Sequence, residues 1–290
     1  MAKPILDDEL WALIEPLLPP PKPRRSRYPG RKPLDDRALL TGILFILQTG
    51  LRWDLLPREM GCGSGMSCWR RLRDWQAAGV WDRLHEVLLA RLRAADQIDW
   101  SRVVVDSSSI RAVGAGQKTG PNPTGRARPG SKHHLITEAQ GIPLAVILTG
   151  ANRNDVTQLH PLVDAIPPIA GKRGRPLSKP RIVQGDRGYD HDKYRRPLYA
   201  AGIATEIARR GEPHGSGLGK TRWVVERTIS WLHNLRRLRI RFERLAFIHE
   251  AFMKIACCII CWRKLRNSFC YRLLGRLIAR WIGTMSGEVG

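Results

Sequence analysis

Apolar residues recur at helical spacing through roughly the first hundred positions and gather into strand-like runs after that. Residues 5–18 put Leu10, Trp11, Ile14 and Leu17 on one side of a short helix. Asp35 and Asp36 open a second helix, with Leu39, Ile43, Ile46 and Leu47 inward and Gly50 at its end. A short element over Asp54–Met60 and the turn Gly61-Cys62-Gly63 lead into a helix over Ser64–Ala78. Val80–Ala95 continues in helical phase through Trp81, Leu84, Leu88 and Leu92. Helix, short helix, glycine turn, helix is a helix-turn-helix order. Trp69 and Trp75 would pack inward, leaving Arg70, Arg71 and Arg73 for DNA. An ordinary three-helix bundle shares the pattern.

Past residue 100 the period changes. Arg102–Asp106, His133–Glu138 and Ile142–Thr149 read as three consecutive strands, the last two joined at Ala139-Gln140-Gly141. A helix over Asp155–Ile166, a strand over Arg181–Gly185, a helix over Lys193–Ala201 and a strand over Ile203–Ala208 follow. A further helix covers Thr221–Leu238. This order predicts an α/β fold: a ribonuclease H-like mixed five-stranded sheet with flanking helices, preceded by an all-α helix-turn-helix-like domain. The expected division is a helical DNA-binding domain at 1–96, a catalytic domain at 97–266 and a basic amphipathic extension at 267–290. The glycine-rich loop at 113–131 lacks the Gly-Lys-Ser/Thr ending of a phosphate loop, and Gly130-Ser131-Lys132 runs in the opposite order.

Charge narrows the choice of partner. The chain has 49 Lys and Arg against 26 Asp and Glu, a net charge of +23. Such a balance seeks a polyanion, nucleic acid before membrane. No apolar run nears the roughly 18–20 residues of a spanning helix, and the N-terminus lacks the apolar stretch of a signal peptide. A cytoplasmic, nucleoid-associated protein with no membrane partner is expected. Its six cysteines should then be reduced, with Cys62, Cys68, Cys257, Cys258 and Cys261 as core thiols. The stretch from Pro19 to Pro33 holds Lys22, Arg24, Arg25, Arg27, Arg31 and Lys32 and no acid; it reads as a solvated linker or an arm on the DNA backbone.

Three acids stand out from this background. Asp106 closes the run Val103-Val104-Val105, Asp186 follows Ile182-Val183-Gln184-Gly185 eighty positions later, and Glu226 lies forty further on. Carboxylates from two strand ends and a helix can converge on a pair of divalent cations, since oxygen ligands suit Mg²⁺ and Mn²⁺. Two such ions roughly 3.5–4 Å apart activate the attacking oxygen and stabilise the leaving one in phosphoryl transfer. Each acid also has a simpler account. Asp106 and Asp186 could cap turns, and Glu226 could pair with Arg222 one helical turn away. At 100° per residue, Arg222, Glu226, His233 and Arg237 fall within about 60° of one another on a continuous helix.

Several segments carry a family likeness: Val-Asp-Ser-Ser (105–108), Gly-Ser-Lys-His-His-Leu-Ile-Thr (130–137), Gly-Ala-Asn-Arg-Asn-Asp (150–155), Asp-Arg-Gly-Tyr-Asp (186–190) and Arg-Trp-Val-Val-Glu-Arg-Thr-Ile-Ser-Trp-Leu (222–232). With Leu-Arg-Trp-Asp-Leu-Leu-Pro (51–57), they make residues 5–265 closely resemble the Asp-Asp-Glu transposases of bacterial insertion sequences, the insertion-sequence-five-like group. The resemblance implies a transposase that binds the terminal inverted repeats of its own element. Asp106, Asp186 and Glu226 would be both catalytic residues and metal ligands, holding two Mg²⁺ ions with Mn²⁺ as a substitute. A water would cut the element end, and the freed 3′-OH would attack target DNA without a covalent enzyme intermediate. Lys132, Arg222, His233 and Arg237 join Arg70, Arg71 and Arg73 as expected DNA contacts, and a homodimer or higher oligomer is expected on DNA. The alternative is a decayed transposase that only binds DNA. The chain departs from the wider superfamily at Gly219, where a tyrosine is usual, and at His233, where a basic residue is usual. Residues 267–290 have no counterpart in the likeness.

Overall fold

The computed structural model describes residues 4–21, 23, 26–27, 32–211 and 219–285, with side chains of the last helix described as far as Asn267. Lys22, Arg24, Arg25 and Arg31 of the Pro/Arg stretch lie outside the described residues, as do the side chains of Arg272, Arg276 and Arg280.

Four helices come first: α1 (Asp8–Ile14), α2 (Asp36–Thr49), α3 (Gly65–Ala77) and α4 (Val80–Ala94). Their ends follow the side-chain chemistry. Asp7, Asp35 and Ser64 accept hydrogen bonds from the backbone N–H groups of Leu10, Ala38 and Ser67, and Gly50 ends α2 in the left-handed conformation. The short element between α2 and α3 is not an α-helix but two single 3₁₀ turns, Trp53–Leu55 and Arg58–Met60. Pro57 explains the break: it lacks an N–H and holds Leu56 extended, at ψ 122°. The first of these turns sits so close to the start of α3 that a Cβ on Gly65 would lie 1.7 Å from the Trp53 carbonyl oxygen.

The sheet contains β1 (Val103–Ala112), β3 (Pro129–Glu138), β4 (Pro143–Gly150), β5 (Ile182–Gly185) and β6 (Ala204–Ile207). The two-residue strands β2 (Gly120–Pro121) and β7 (Ile240–Arg241) pair with β3 and β1. The spatial order is β4–β3–β1–β5–β6, with β3 antiparallel to both neighbours and β1, β5 and β6 parallel. This is the expected ribonuclease H-like sheet. The helices α5 (Leu159–Asp164), α6 (Asp192–Ala200), α7 (Gly219–His233) and α8 (Ala246–Met285) surround it. Position 267 falls inside α8, so the expected extension begins mid-helix.

Two further differences from expectation bear on the site. β1 does not stop at Asp106 but runs six residues further, through the three serines, because β3 pairs with it as far as Arg111. α7 ends at His233 rather than Leu238; Arg236–Leu238 forms a separate 3₁₀ turn after Leu235 turns extended. A continuous helix would carry Arg237 onto the face of Glu226. Instead Arg237 is buried against Glu243 and the carbonyl oxygens of Gly50 and Leu51.

One continuous buried cluster links the helical segment to the sheet. α8 acts as the shared partner. Phe252 stacks on Trp53 with ring centroids 5.8 Å apart, Cys258 lies against the Trp81 carbonyl and Lys254 pairs with Asp82 at 2.6 Å. Trp75 and Trp81 meet edge to face at 5.9 Å and are fully buried. A side chain of this size removes 150–250 Å² from water, so the α3–α4 corner is among the largest apolar contributions. The five described cysteines are free and buried. Among the described residues no helix is long and apolar enough to cross a membrane.

Candidate functional site

β1 has β3 along one side throughout, but on the other side β5 pairs only at Val103 and Val104 and β7 only at Arg111 and Ala112. The stretch between borders a gap in the sheet, and Asp106 lies in it. β1 and β5 pair with an offset of eighty residues, Val103 with Val183 and Val104 with Gln184. Carried two residues on, that register sets Asp106 level with Asp186. Here the chain order reverses across the sheet, the place where open α/β sheets bind ligands beyond the carboxyl ends of their strands.

Backbone donors orient both aspartates. Asp106 Oδ1 accepts the Ser107 N–H at 2.8 Å and Asp186 Oδ1 accepts the Gly188 N–H at 2.9 Å. The turn-capping account of Asp186 is therefore correct as local structure, and it leaves Oδ2 of each residue outside these bonds. Glu226 reaches the site from α7, which is anchored at both ends. Gln184 of β5 donates to Thr221 Oγ1 at 2.7 Å, and Thr228 Oγ1 donates to the Gly141 carbonyl at 2.7 Å. Gly141, at φ 92°, is needed at that turn, since a Cβ there would meet Thr228 Oγ1 at 2.8 Å.

A single guanidinium connects two of the acids. Arg222 Nη1 stands 3.5 Å from Asp106 Oδ2, and its Nη2 stands 2.9 Å from Glu226 Oε1. Burial pushes the Asp106 carboxyl up to about 6; the charges of Asp186 and Glu226 add to this, while the Ser107 N–H and Arg222 oppose it. Asp106 thus feels both other carboxylates, and Arg222 stands between it and Glu226. Among the described residues no three His, Cys, Asp or Glu side chains already stand at ligand spacing. Arg222 fills the space between Asp106 and Glu226, so these oxygens could share an ion only once it moves. The all-oxygen donor set suits a hard divalent cation.

The other expected contacts divide by environment. Arg70 and Arg73 are exposed on α3. Arg73 pairs with Asp74 at 2.7 Å and lies over Trp69, while Arg71 pairs with Asp36 and lies over Trp75. Lys132 points inward: its ammonium sits 2.9 Å from Asp155 Oδ1, donates to the Arg153 carbonyl at 2.9 Å and leaves 12% of its side chain exposed. His233 turns toward the buried His133 ring, 5.7 Å between centroids. Arg237 is 3% exposed.

Sequence reasoning gave no role to two polar groups the structure reveals. The first joins Ser107, Asp155, His134 and Lys132 on the sheet face behind Asp106. Its signal was present in Gly-Ala-Asn-Arg-Asn-Asp, whose last residue is Asp155. The second is a buried chain in which His133 Nε2 and His249 Nε2 lie 2.8 Å apart, His249 Nδ1 faces Glu243 at 3.4 Å and Glu243 pairs with Arg237. It joins β3 and α8 to the segment after α7, and nothing in the spacing of those residues announces it.

Comparison with known proteins agrees with the likeness read from the motifs. Residues 100–261 match the transposase DDE domain, and residues 6–85 match the description "putative transposase of IS4/5 family". A putative transposase for insertion sequence element IS402 of Burkholderia cepacia is 68% identical over 151 residues, 52% of this chain and 72% of that protein. An uncharacterised 16.2 kDa protein of the same element is 80% identical over 123 residues, 42% of this chain and 84% of that protein. Among solved structures, the Mos1 strand transfer complex aligns over 82% of this chain and 76% of that one, at 15% identity and a TM-score of 0.34.

Proposed function

Because the chain belongs to the transposase DDE-domain family, it is a transposase that cleaves DNA and transfers strands, and we propose that Asp106, Asp186 and Glu226 are the carboxylates that serve this chemistry. The observation that carries the reading is the meeting of β1, β5 and α7: a register that sets Asp106 level with Asp186, and one guanidinium touching both Asp106 and Glu226.

The family uses divalent metal, and the donor set here fits Mg²⁺, with Mn²⁺ as substitute. Two ions bound there would activate the attacking oxygen and neutralise the leaving one. The chain's own part is orientation. The Ser107 and Gly188 N–H groups fix one oxygen of each aspartate and leave the other outside those bonds. Arg222 is a movable cation, able to leave the carboxylates for a DNA phosphate, where its bidentate fork is well suited. Arg70 and Arg73 on α3 are the preferred contacts to the ends of the element, with Arg71 partly engaged by Asp36. Arg237 and Lys132 serve the interior. Pairing two element ends calls for at least two copies of the chain.

Asp186→Ala and Glu226→Ala should bind a duplex carrying the element end as the parent does, yet neither cut it nor join a pre-cleaved end to target DNA. Strand transfer by either variant at the parent's rate overturns the assignment.

A further inference from the structure

Ser107 is a hinge between two carboxylates. Its N–H donates to Asp106 Oδ1 at 2.8 Å, while its hydroxyl donates to Asp155 Oδ1 at 2.7 Å. Asp155 Oδ1 is also 2.9 Å from Lys132 Nζ and 3.7 Å from His134 Nδ1. A surface aspartate has no need of two donors on one oxygen, Ser107 from β1 and Lys132 from β3. Asp155 begins the 3₁₀ turn Asp155–Gln158, which packs against the 3₁₀ turn Arg187–Tyr189 that Asp186 caps. Tyr189 is fully buried. Burial holds its hydroxyl's pKa well above the usual value, the charges of Asp155, Asp106 and Asp186 push the same way, and the Ser107 hydroxyl opposes them.

We infer that Asp155 is a fourth functional carboxylate, a positioning residue that acts through Ser107 and the Arg187–Tyr189 turn to fix the spacing between Asp106 and Asp186. Asp106 borders the gap where β5 has left β1, so no ladder hydrogen bond holds it against Asp186. The Ser107–Asp155 bond and the contact between the two turns take the place of that ladder. Lys132 holds Asp155 to β3, the strand that stays paired to β1 from Val103 to Arg111. Lys132 is then the counter-ion of this brace, which explains its inward direction.

The inference rests on the metal-site reading above, and the test separates the two. Mn²⁺ binding to DNA-free full-length protein is measured by electron paramagnetic resonance for the parent, Asp155→Ala, Ser107→Ala and Asp186→Asn, alongside thermal unfolding and end-DNA binding. Ser107→Ala keeps the backbone donor to Asp106 and removes only the hydroxyl, so it stands in if Asp155→Ala folds poorly. Residues that orient metal ligands typically cost 10–100-fold in affinity when removed. Asp155→Ala and Ser107→Ala should weaken Mn²⁺ binding by about that factor, with DNA binding unchanged and cleavage recovering as Mn²⁺ is raised, whereas Asp186→Asn should lose the site. Parent-like Mn²⁺ affinity in a folded Ser107→Ala protein overturns the brace while leaving the carboxylate site standing. Complete loss of binding in Asp155→Ala makes Asp155 a ligand and overturns the positioning role. Parent-like binding in Asp186→Asn overturns the site reading itself.

Discussion

Replacing Asp106 with asparagine should stabilise the metal-free protein at neutral pH while abolishing its chemistry. Burial raises the Asp106 carboxyl from 3.8 to about 6. At 1.36 kcal/mol per pH unit, holding it ionised in the folded state costs about 3 kcal/mol. Its side chain is 18% exposed, so solvent screens little of this. The raised value already contains the opposing charge of Arg222, so losing that ion pair takes nothing further off the expected gain of about 3 kcal/mol. The sign follows from linkage. A carboxyl whose folded pKa is raised imposes no penalty below 3.8; the penalty grows as pH rises through about 6 and is full above it. Urea unfolding in EDTA at a series of pH values should therefore show parent and variant together near pH 3.5 and about 3 kcal/mol apart at pH 7.5. Equal stability at pH 7.5 would refute the reasoning. So would a gain of the same size at both ends of the range, since that would not come from the charge.

Arg237→Ala should lower stability by about 3–5 kcal/mol, because it strands the buried Glu243; a surface-like loss under 1 kcal/mol in denaturant unfolding would contradict the interior role. Burial lowers the pKa of both His133 and His249, so their neutral forms favour folding above the usual 6.5 and this contribution fades as pH falls below it. His249→Gln, still facing Glu243, Arg237, Arg241 and His133, should flatten that acid limb, and an unchanged limb would sink the idea. For DNA binding, the double substitution Arg70→Ala and Arg73→Ala should reduce the log–log salt slope by about 1.8, from roughly 0.9 per phosphate contact. An unchanged slope would remove α3 from the interface.

The parts of this fold legible in the sequence are those governed by local chemistry. Asp35 and Gly50 mark the ends of α2 because one caps a helix and the other tolerates a left-handed turn. β5 is short and apolar because parallel partners bury it on both sides. The eighty-residue interval between Asp106 and Asp186 was visible from the start, and its meaning is the β1–β5 register. What escaped local reasoning was decided by distant partners. The serines after Asp106 look like a turn, yet β3 holds them in a strand. Arg237 looks like one more residue on a helical face, yet the carbonyls of Gly50 and Leu51 and the carboxylate of Glu243 draw the chain out of α7 to receive it. Asp155 carried a motif but no role, because its partners Ser107 and Lys132 are 48 and 23 positions away in sequence.

The long helix α8 lies against both α3–α4 and β4, with no separate layer between them. With α3 on the element end as proposed, a protein braced this way should act as a ruler rather than a pair of jaws, the carboxylates meeting the backbone a set number of rungs from the base pairs α3 would hold. Sliding the recognised sequence along the duplex by one base pair should carry the cut with it by one, because the span between grip and blade is set by solid packing.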